Sequence, residues 1–368
     1  MRVVICANTG WNLHNFRSGV IRALIASGVE VIAVAPETKY SQSLVAMGCR
    51  FEVMPMESMG TSPVQDLQLL FRFWRLFRKL QPDFFLGYTI KPNIYGSLAA
   101  HLCGVRAINN ISGLGTAFLN KGWLNHLVRR LYRWSLWHSR HVFFQNPDDR
   151  SLFLALGLAR AEKSSLLPGS GVDLEMFAPA ASKEDGARFL LIARLIWDKG
   201  IGEYVEAARL VKQKHPGASF GLLGLLGPDN PSAIDRETLQ GWISEGIVEY
   251  YGRREDVRPV ITEADCIVLP SYYPEGTPRT LIEGAAMGKP LIAADVPGCR
   301  EVINDGVNGY LCQPRNAADL AQKLTQFLEL PRNERAAMGL ASRKKAENQF
   351  DEKIVIDSYM RVISAGKG

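Results

Sequence analysis

Residues Cys266–Asp295 read CIVLPSYYPEGTPRTLIEGAAMGKPLIAAD and contain two short apolar runs on either side of a helical stretch. The run CIVLP ends before a turn-rich loop, and PLIAAD follows the helix, which is typical of two parallel strands joined in a βαβ unit. Thr277 suits the N-cap of the helix, Pro278 suits its first position, and Gly288 suits the position just past its end. The stretch therefore predicts a strand, a loop, a helix and a second strand.

The start of this helix is a candidate anion site, because the first amides of a helix lack partners within it. The amides concerned are those of Arg279, Thr280 and Leu281. Glu275 precedes the helix and Glu283 lies within it, so a loop that folds back brings both carboxylates to one ligand. An anionic centre with hydroxyl-rich ends describes a nucleotide sugar. The alternative is an ordinary strand–turn–helix unit with surface glutamates.

A second pair of charged residues follows another apolar run. The segment ARLIWDKG places Arg194 and Lys199 between a strand and a helix. Arginine offers planar bidentate donors and lysine a mobile point charge, and both suit the oxygens of a diphosphate. Fixed cations there would stabilise the charge that a nucleoside diphosphate gains as it leaves in a glycosyl transfer. Taken alone, the pair is also an ordinary surface feature.

The alternation of apolar runs and helical stretches occurs in both halves of the chain, which predicts an α/β protein with two doubly wound, Rossmann-like domains. The length of 368 residues also exceeds what one core usually holds. Ser164–Ala187 is rich in Gly, Pro, Ser and Ala and has the character of a linker. We therefore predict domains over residues 1–182 and 183–350, with ligands in the cleft between them.

Composition excludes several other classes of protein. With 47% hydrophobic and 22% charged residues, the chain is neither disordered nor collagenous nor a coiled coil. No apolar run approaches the roughly eighteen residues of a membrane-spanning helix, and the opening MRVVICANTG does not fit a signal peptide. The six cysteines lack paired or metal-ligand spacing, so we expect reduced thiols in a cytoplasmic protein.

Several motifs together resemble the retaining glycosyltransferases of family four, which have the GT-B fold. These motifs are the E-x7-E spacing of Glu275 and Glu283, ARLIWDKG, GSGVDLEMF and DGVNGYLC. Four further segments, KPNIYGSLAA, NISGLGTAF, FQNPDDRSLF and GPDNPSAI, resemble the subgroup that transfers N-acetylhexosamines to polyprenyl-diphosphate-linked acceptors in bacterial surface-polysaccharide assembly. The resemblance covers nearly the whole chain. It implies a hexosyltransferase that uses a UDP-sugar, and a C-terminal helix at 351–368 that crosses back to the first domain.

The resemblance also implies roles on the donor side. Glu275 would contact the hydroxyls of the donor sugar near the reacting carbon, and Glu283 would accept hydrogen bonds from the ribose diol. Arg194 and Lys199 would clamp the diphosphate. The helix-start residues that complete the cradle are Thr277, Pro278, Arg279, Thr280 and Leu281. Arg253 lies where the nucleotide base is commonly held.

The acceptor side is placed by the same resemblance near the first loop. Thr9–Arg17, TGWNLHNFR, fills the place of the family's glycine-rich loop. Gly10 would allow close backbone approach, and Arg17 would meet an acceptor phosphate. Many family members have a histidine in the loop that reads NNISGLG here. Its role would pass to backbone groups, to Asn109 or Asn110, or to nothing.

The sequence offers no obvious metal site. It contains no D-x-D triplet, and no cluster of His, Cys or Asp has metal-ligand spacing. We therefore expect a metal-independent enzyme without a cofactor, in which lysine and arginine supply the positive charge.

Charge is distributed unevenly along the chain. Residues 1–180 contain 19 Lys and Arg and 11 Asp and Glu, a balance of +8, and since the whole chain carries +6 the remainder carries −2. Leu67–Leu80 and Lys121–His141 combine basic residues with tryptophan and contain no acid. Such helices suit an anionic bilayer, so we expect peripheral association with the inner face of the cell membrane. The alternative is a pair of amphipathic helices that cover a sheet, and no motif indicates nucleic acid binding.

Two other functions remain open on the sequence. A nucleotide-sugar epimerase would share the two-domain architecture, but it would need acid/base groups beside the sugar ring and no membrane surface. A non-catalytic protein that binds sugar nucleotides would need only the binding residues.

Overall fold

The computed structural model describes residues 1–57, 62–114, 123–180, 187–227 and 230–366. The chain forms two compact units, one made of Met1–Gly171 with Glu352–Gly368 and the other of Val172–Asp351. Each unit contains one parallel sheet with helices in its crossovers. The predicted pair of doubly wound α/β domains is confirmed.

The first unit is built on seven parallel strands in the order β3-β2-β1-β4-β5-β6-β7. The strands are β1 (Arg2–Cys6), β2 (Glu30–Ala35), β3 (Arg50–Val53), β4 (Phe84–Tyr88), β5 (Arg106–Ile111), β6 (His141–Phe144) and β7 (Ser164–Leu166). The helices are α1 (Gly10–Phe16), α2 (Ser18–Ala26), α3 (Tyr40–Ala46), α4 (Pro63–Leu80), α5 (Ser97–Leu102), α6 (Trp123–Trp137) and α7 (Pro147–Ala155). A π-helical turn at Pro92–Gly96 leads into α5, and a 3-10 turn at Ala161–Lys163 precedes β7. The central strands β1, β2 and β4 are almost wholly apolar because helices cover the sheet.

The second unit is built on six parallel strands in the order β10-β9-β8-β11-β12-β13. The strands are β8 (Arg188–Ile192), β9 (Ser219–Leu223), β10 (Glu249–Tyr250), β11 (Cys266–Leu269), β12 (Leu291–Ala294) and β13 (Gly309–Cys312). The helices are α8 (Ile201–Lys214), α9 (Arg236–Ser244), α10 (Arg258–Glu263), α11 (Arg279–Ala286), α12 (Ala317–Glu329) and α13 (Arg332–Lys345). A 3-10 turn at Trp197–Lys199 precedes α8, and a π-helical turn at Ala346–Phe350 follows α13.

The last helix, α14 (Glu352–Ser364), belongs to the first unit. Val355, Tyr359 and Ile363 are buried at a spacing of four residues, which is one face of a helix. The ring of Tyr359 lies 4.8 Å from that of Phe143 on β6. The C-terminal segment therefore completes the core of the unit that begins at residue 1.

The division between the units comes earlier than the predicted boundary. Residue 183 itself lies outside the part of the chain that the structure describes. Residues from Val172 onward belong to the second unit because Val172 and Phe177 pack in its core, and the amide of Val172 donates to the carbonyl of Phe350 at 2.8 Å. The linker-like composition of the segment concealed these two apolar anchors.

Candidate active site

Three of the predicted donor-binding residues lie beyond the carboxyl ends of strands in the second sheet. Arg194 follows β8, Arg253 follows β10 and Glu275 follows β11, and both arginines are exposed. Because all six strands are parallel, these loops leave the sheet at the same edge. In doubly wound sheets this edge binds ligands.

The loops that follow β8 and β11 are fixed against each other by their backbones. The carbonyl of Asp198 accepts hydrogen bonds from the amides of Tyr272 and Tyr273, both at 3.0 Å. Gly200 has a φ of 74°, and a Cβ at this position would lie 2.2 Å from the carbonyl oxygen of Pro270. Glycine permits both the left-handed conformation and the close approach. The two loops therefore form one rigid floor.

Lys199 and Glu275 are direct partners in this floor. The ammonium group of Lys199 pairs with Oε1 of Glu275, and the hydroxyl of Ser271 donates to the same oxygen at 2.9 Å. Only 8% of Lys199 is exposed, and a charge buried to this degree needs a partner. The predicted diphosphate cation and the predicted sugar-binding carboxylate thus lie at one point.

Tyr273 brings the cations of this site together. The ring centroid of Tyr273 lies 6.0 Å from the guanidinium carbon of Arg194 and 5.3 Å from Nζ of Lys199. Both distances are within the range of cation–π attraction. Sequence reasoning did not single out Tyr273 or Ser271; the only signal was their position in the loop SYYPEG beside Glu275.

The helix of the motif begins one residue later than predicted. Pro278 is extended, with ψ of 122°, and occupies the N-cap, so α11 starts at Arg279 and the assignment of Thr277 as N-cap is wrong. The amide of Leu281 donates to the carbonyl of Pro278 at 3.2 Å, so the prediction of an open amide at Leu281 is also wrong. Thr277 itself is buried next to the helix start, and the amide of Thr280 remains within its first turn. The predicted end of this helix is confirmed, since Gly288 follows the C-cap with φ of 71°.

Glu283 lies on the buried face of α11 and pairs with Arg279 one turn earlier. The distance from Nε of Arg279 to Oε1 of Glu283 is 2.7 Å. Burial raises the pKa of Glu283 above its ordinary value, and the charge and hydrogen bond of Arg279 oppose that rise. The pair fixes a carboxylate beside the helix start that faces away from bulk water.

Gly298 is a further close approach that the sequence analysis missed. Its φ is 89°, and a Cβ there would lie 1.7 Å from the carbonyl oxygen of Gly276, next to Glu275. The amide of Gly298 donates to Glu301 at 2.6 Å. The loop after β12 therefore packs directly against the backbone of the Glu275 loop. Any larger residue at Gly298 would displace the Glu275 loop.

The predicted acceptor-side residues at the N-terminus lie in the first unit. Thr9 caps α1 by accepting a hydrogen bond from the amide of Asn12 at 3.2 Å. A Cβ at Gly10 would lie 2.8 Å from Oγ1 of Thr38, so the absence of a side chain at Gly10 makes room for the protein's own loop.

Arg17 is 3% exposed, yet its Nε and Nη1 donate no hydrogen bond to any residue within the described parts of the chain. Its guanidinium carbon lies 4.1 Å from the ring centroid of Tyr88, within the range of cation–π attraction. A buried guanidinium with unused donors is ready to bind an anion.

Asn109 and Asn110 are parts of the core of the first unit. The amide of Asn109 donates to Oδ1 of Asn93 at 2.9 Å and to Ser97 at 2.7 Å, and its oxygen accepts from Ser139 at 2.7 Å. Asn110 donates to Tyr359 at 3.1 Å and accepts from Gln145 at 3.0 Å. These bonds use the polar atoms of both side chains within the fold, so the structure places neither at an open acceptor surface. The sequence placed Asn109 and Asn110 beside the loop NNISGLG but did not show that they lie on β5 and are buried.

Comparison with known proteins identifies the family. Residues 173–345 match the family described as "Glycosyl transferases group 1", and residues 15–184 match the family described as "Glycosyl transferase 4-like domain". The chain belongs to the family-four glycosyltransferases. It is therefore a glycosyltransferase, and the resemblance of its motifs to family four is confirmed.

Two curated relatives are transferases that act on lipid-linked sugars. The chain is 29% identical, over 98% of both sequences, to the N,N'-diacetylbacillosaminyl-diphospho-undecaprenol alpha-1,3-N-acetylgalactosaminyltransferase of Campylobacter jejuni. It is 24% identical, over 71% of this chain and 70% of the relative, to the UDP-Gal:alpha-D-GlcNAc-diphosphoundecaprenol alpha-1,3-galactosyltransferase of Escherichia coli. Neither match favours an epimerase.

Solved structures share the fold. The Anabaena protein HepE in complex with UDP superposes with a TM-score of 0.81 at 18% identity, over 99% of this chain and 100% of that one. Sucrose-phosphate synthase from Thermosynechococcus elongatus superposes with a TM-score of 0.80 at 17% identity, over 99% and 100% of the two chains. The fold is GT-B, as predicted.

Two further features of the described residues concern metal ions and membranes. Within the described ranges, no group of three or more His, Cys, Asp or Glu side chains is arranged to hold a metal ion. Among the helices in those same ranges, none has the length and apolar character needed to span a bilayer.

Proposed function

We propose that this glycosyltransferase moves an N-acetylhexosamine from a UDP-sugar to a polyprenyl-diphosphate-linked saccharide, with retention of the anomeric configuration, in surface glycan biosynthesis. The observation that carries the proposal is the pairing of Lys199 with Glu275 at the strand ends of a GT-B domain. The Campylobacter jejuni relative, which matches across 98% of both chains, supports the sugar and the acceptor by its name. The UDP complex of Anabaena HepE supports the nucleotide.

The donor diphosphate would bind between Lys199, Arg194 and the start of α11. Phosphate oxygens would compete with Glu275 for the ammonium of Lys199, and the guanidinium of Arg194, which lies near the same Tyr273 ring, would add a bidentate donor. Once Lys199 turns to the diphosphate, Oε1 of Glu275 would accept a hydrogen bond from a hydroxyl of the sugar in its place. The same ion pair would thereby couple binding of the two ends of the donor.

The nucleoside would lie further along the same edge. Glu283, which is buried and paired with Arg279, would accept hydrogen bonds from the ribose hydroxyls. Arg253, which is exposed after β10, would contact the base. Thr277 and the backbone around Pro278 and Thr280 would shape the helix start against the phosphates. The position of α11 after the carboxyl end of β11, and of Arg253 after β10, supports these roles.

Catalysis would depend on charge that develops on the departing UDP. Fixed cations stabilise this charge more in the transition state than in the ground state. The turn at Gly200 holds the backbone of Lys199 in place, so only its side chain changes partner, from Glu275 to the diphosphate, when the donor binds. We therefore propose that the enzyme needs neither a metal ion nor a cofactor.

The acceptor would be held by the first unit. The unused donors of Arg17 suit a phosphate oxygen of the acceptor diphosphate, and Gly10 lies at the start of the helix that leads to Arg17. Asn109 and Asn110 would support this region from within the core rather than contact the acceptor.

The same unit would rest on the cytoplasmic face of the membrane. Helix α4 buries Leu69, Phe73, Phe77 and Leu80 and exposes basic residues on its other side. Those residues are Arg72, Arg75, Arg78 and Lys79. The helix also includes Asp66, upstream of the predicted stretch, and Asp66 pairs with Lys91 at 3.1 Å. Lys121 and the side chain of Trp123 lie outside the described parts of the chain.

Transfer of radiolabel tests the proposal. Labelled UDP- and GDP-sugars are incubated with bacterial membranes that carry polyprenyl-diphosphate sugars, and label is counted in the organic extract. We expect label from one UDP-N-acetylhexosamine, and its loss in Glu275→Gln with UDP binding retained. Glu329→Gln, an exposed glutamate at the end of α12, is the matched control and should transfer normally.

Other outcomes identify the alternatives. If Glu275→Gln binds UDP and transfers at the normal rate, the assigned role of Glu275 is wrong. If no donor labels the lipid but the sugar of a UDP-sugar changes configuration, the protein is an epimerase. Binding without either reaction would indicate a non-catalytic protein.

A further inference from the structure

A wide apolar groove lies between α4, α5 and α6 of the first unit. Its volume is about 1300 Å³, above the roughly 300–1,000 Å³ of most small-molecule pockets. Five large apolar side chains line it and remain exposed: Leu67, Leu102, Leu127, Trp134 and Trp137. Single exposed apolar residues are ordinary, but several in one concavity mark a binding surface.

The groove side chains are distinct from those that build the core. On α6, Tyr132 and Leu136 point inward and are buried, whereas Leu127 and Trp134 line the groove. On α4 the buried stripe starts at Leu69, and its neighbours on the adjacent face line the groove instead. Each helix therefore carries more apolar surface than the sheet can cover, and the excess converges on one place.

The charges around the groove suit an anionic amphiphile. The carboxylate of Asp66 in its wall is taken up by Lys91 at 3.1 Å and by the hydroxyl of Tyr95 at 2.8 Å. Arg133 lies in the wall, and its guanidinium donates to two backbone carbonyls, so it presents a cation that has no acidic partner among the described residues. Two of the helices that form the groove, α4 and α6, also carry exposed basic side chains. An apolar chain with a negative head group is complementary to this arrangement.

We infer that the groove binds the hydrocarbon chain of the polyprenyl-diphosphate acceptor. The inference rests on the proposed function, which supplies that acceptor. A flat bilayer surface contacts convex or planar faces and does not fill a concavity, whereas a flexible branched chain that leaves the bilayer can. The indole rings of Trp134 and Trp137 are placed for contact with both the chain and the headgroup layer. The acceptor would then be selected by its lipid as well as by its sugar.

Acceptor analogues of graded chain length test the inference. The analogues carry the same saccharide and diphosphate on two, three or four isoprene units, and are assayed below their micelle concentration without vesicles. We expect KM to fall about tenfold or more with each added unit while kcat stays constant, because the added apolar area is buried equally in ground and transition states.

Paired variants locate the effect. The double substitution Leu102→Ser and Leu127→Ser should remove the dependence of KM on chain length and leave kcat on the shortest analogue unchanged. Leu340→Ser on α13 is the matched control, since Leu340 is 72% exposed and Leu102 is 71% exposed. Thermal melting curves of all variants verify that they are folded.

Three results would overturn the inference. One is a wild-type KM that does not change with chain length, and another is a double variant that behaves like Leu340→Ser. The third is a double variant that loses binding to anionic vesicles but keeps the dependence on chain length, which would make the groove a membrane contact. Failure of the proposed function looks different, because no donor would then be transferred to any analogue or to the undecaprenyl acceptor in vesicles.

Discussion

Replacement of Gly200 by alanine tests the rigid floor of the donor site. The left-handed backbone at Gly200 costs an alanine about 1–2 kcal/mol. The added Cβ would also lie 2.2 Å from the carbonyl oxygen of Pro270, a backbone atom that cannot turn aside. Overpacking of this kind adds about 1–3 kcal/mol. We therefore expect Gly200→Ala to lower the free energy of unfolding of the second unit by about 2–5 kcal/mol.

Two other glycines of the same unit separate these contributions. Gly246 has a φ of 69° with no atom within 4 Å of the Cβ position, so Gly246→Ala should lose only the backbone contribution, about 1–2 kcal/mol. Gly217 also has open space and no positive φ, so Gly217→Ala should change stability by less than about 0.5 kcal/mol. Urea denaturation followed by tryptophan fluorescence gives the three values.

The same substitution should affect donor binding. Lys199 immediately precedes Gly200, and a shift of its turn would move the ammonium away from Glu275 and from a bound diphosphate. We expect KM for the donor to rise about tenfold or more in Gly200→Ala and to stay unchanged in Gly246→Ala, since misplacement by about 1 Å can cost up to a hundredfold. Equal stability losses in Gly200→Ala and Gly246→Ala, with equal KM, would refute the close approach as the reason for this glycine.

Four further outcomes are expected. Burial, with the charge of Arg140, lowers the pKa of His141 from 6.5 to about 4. Because the unfolded chain binds the proton first, the free energy of unfolding should fall as pH drops from 6.5 toward 4, and His141→Asn should flatten this dependence in urea titrations. The guanidinium of Arg343 donates to three backbone carbonyls at 2.7 to 3.3 Å. In urea denaturation, Arg343→Met should therefore lower the free energy of unfolding by about 3 kcal/mol, whereas the neighbouring control Lys344→Met should hardly change it. Transfer activity should survive EDTA, and a complete loss that Mg²⁺ restores would contradict the metal-independent mechanism. The protein should co-sediment with anionic vesicles at low salt and less at high salt; absence of binding at low salt would remove the membrane proposal.

The sequence was sufficient for the architecture, and it singled out two residues, Lys199 and Glu275, that the structure pairs. Alternating apolar runs indicated two parallel sheets because buried parallel strands must be continuously apolar. The end of helix α11 was predicted correctly, because Gly288 tolerates the left-handed backbone that follows the C-cap. Glu275 and Lys199 were singled out by residue type and by their position after apolar runs, and the resemblance to family four supplied their predicted roles.

Tertiary structure decided which polar residues are available and where the units divide. Asn109 and Asn110 had the same appearance in the sequence as binding residues, but their partners, such as Ser139 and Tyr359, come from distant parts of the chain and satisfy them inside the core. The roles of Gly200 and Gly298 also depend on backbone from another loop, at distances that no local pattern encodes.

The groove of the first unit is the clearest case of what folding adds. Each helix that forms it is amphipathic in the sequence, and a stripe of apolar residues predicts only that some surface will be covered. Whether the remaining apolar residues face solvent singly or meet in a cavity depends on how α4, α5 and α6 pack beside one another. The sequence by itself determined the family, the fold and the charges; only the packing of distant segments decided which of those groups remain free to meet a ligand.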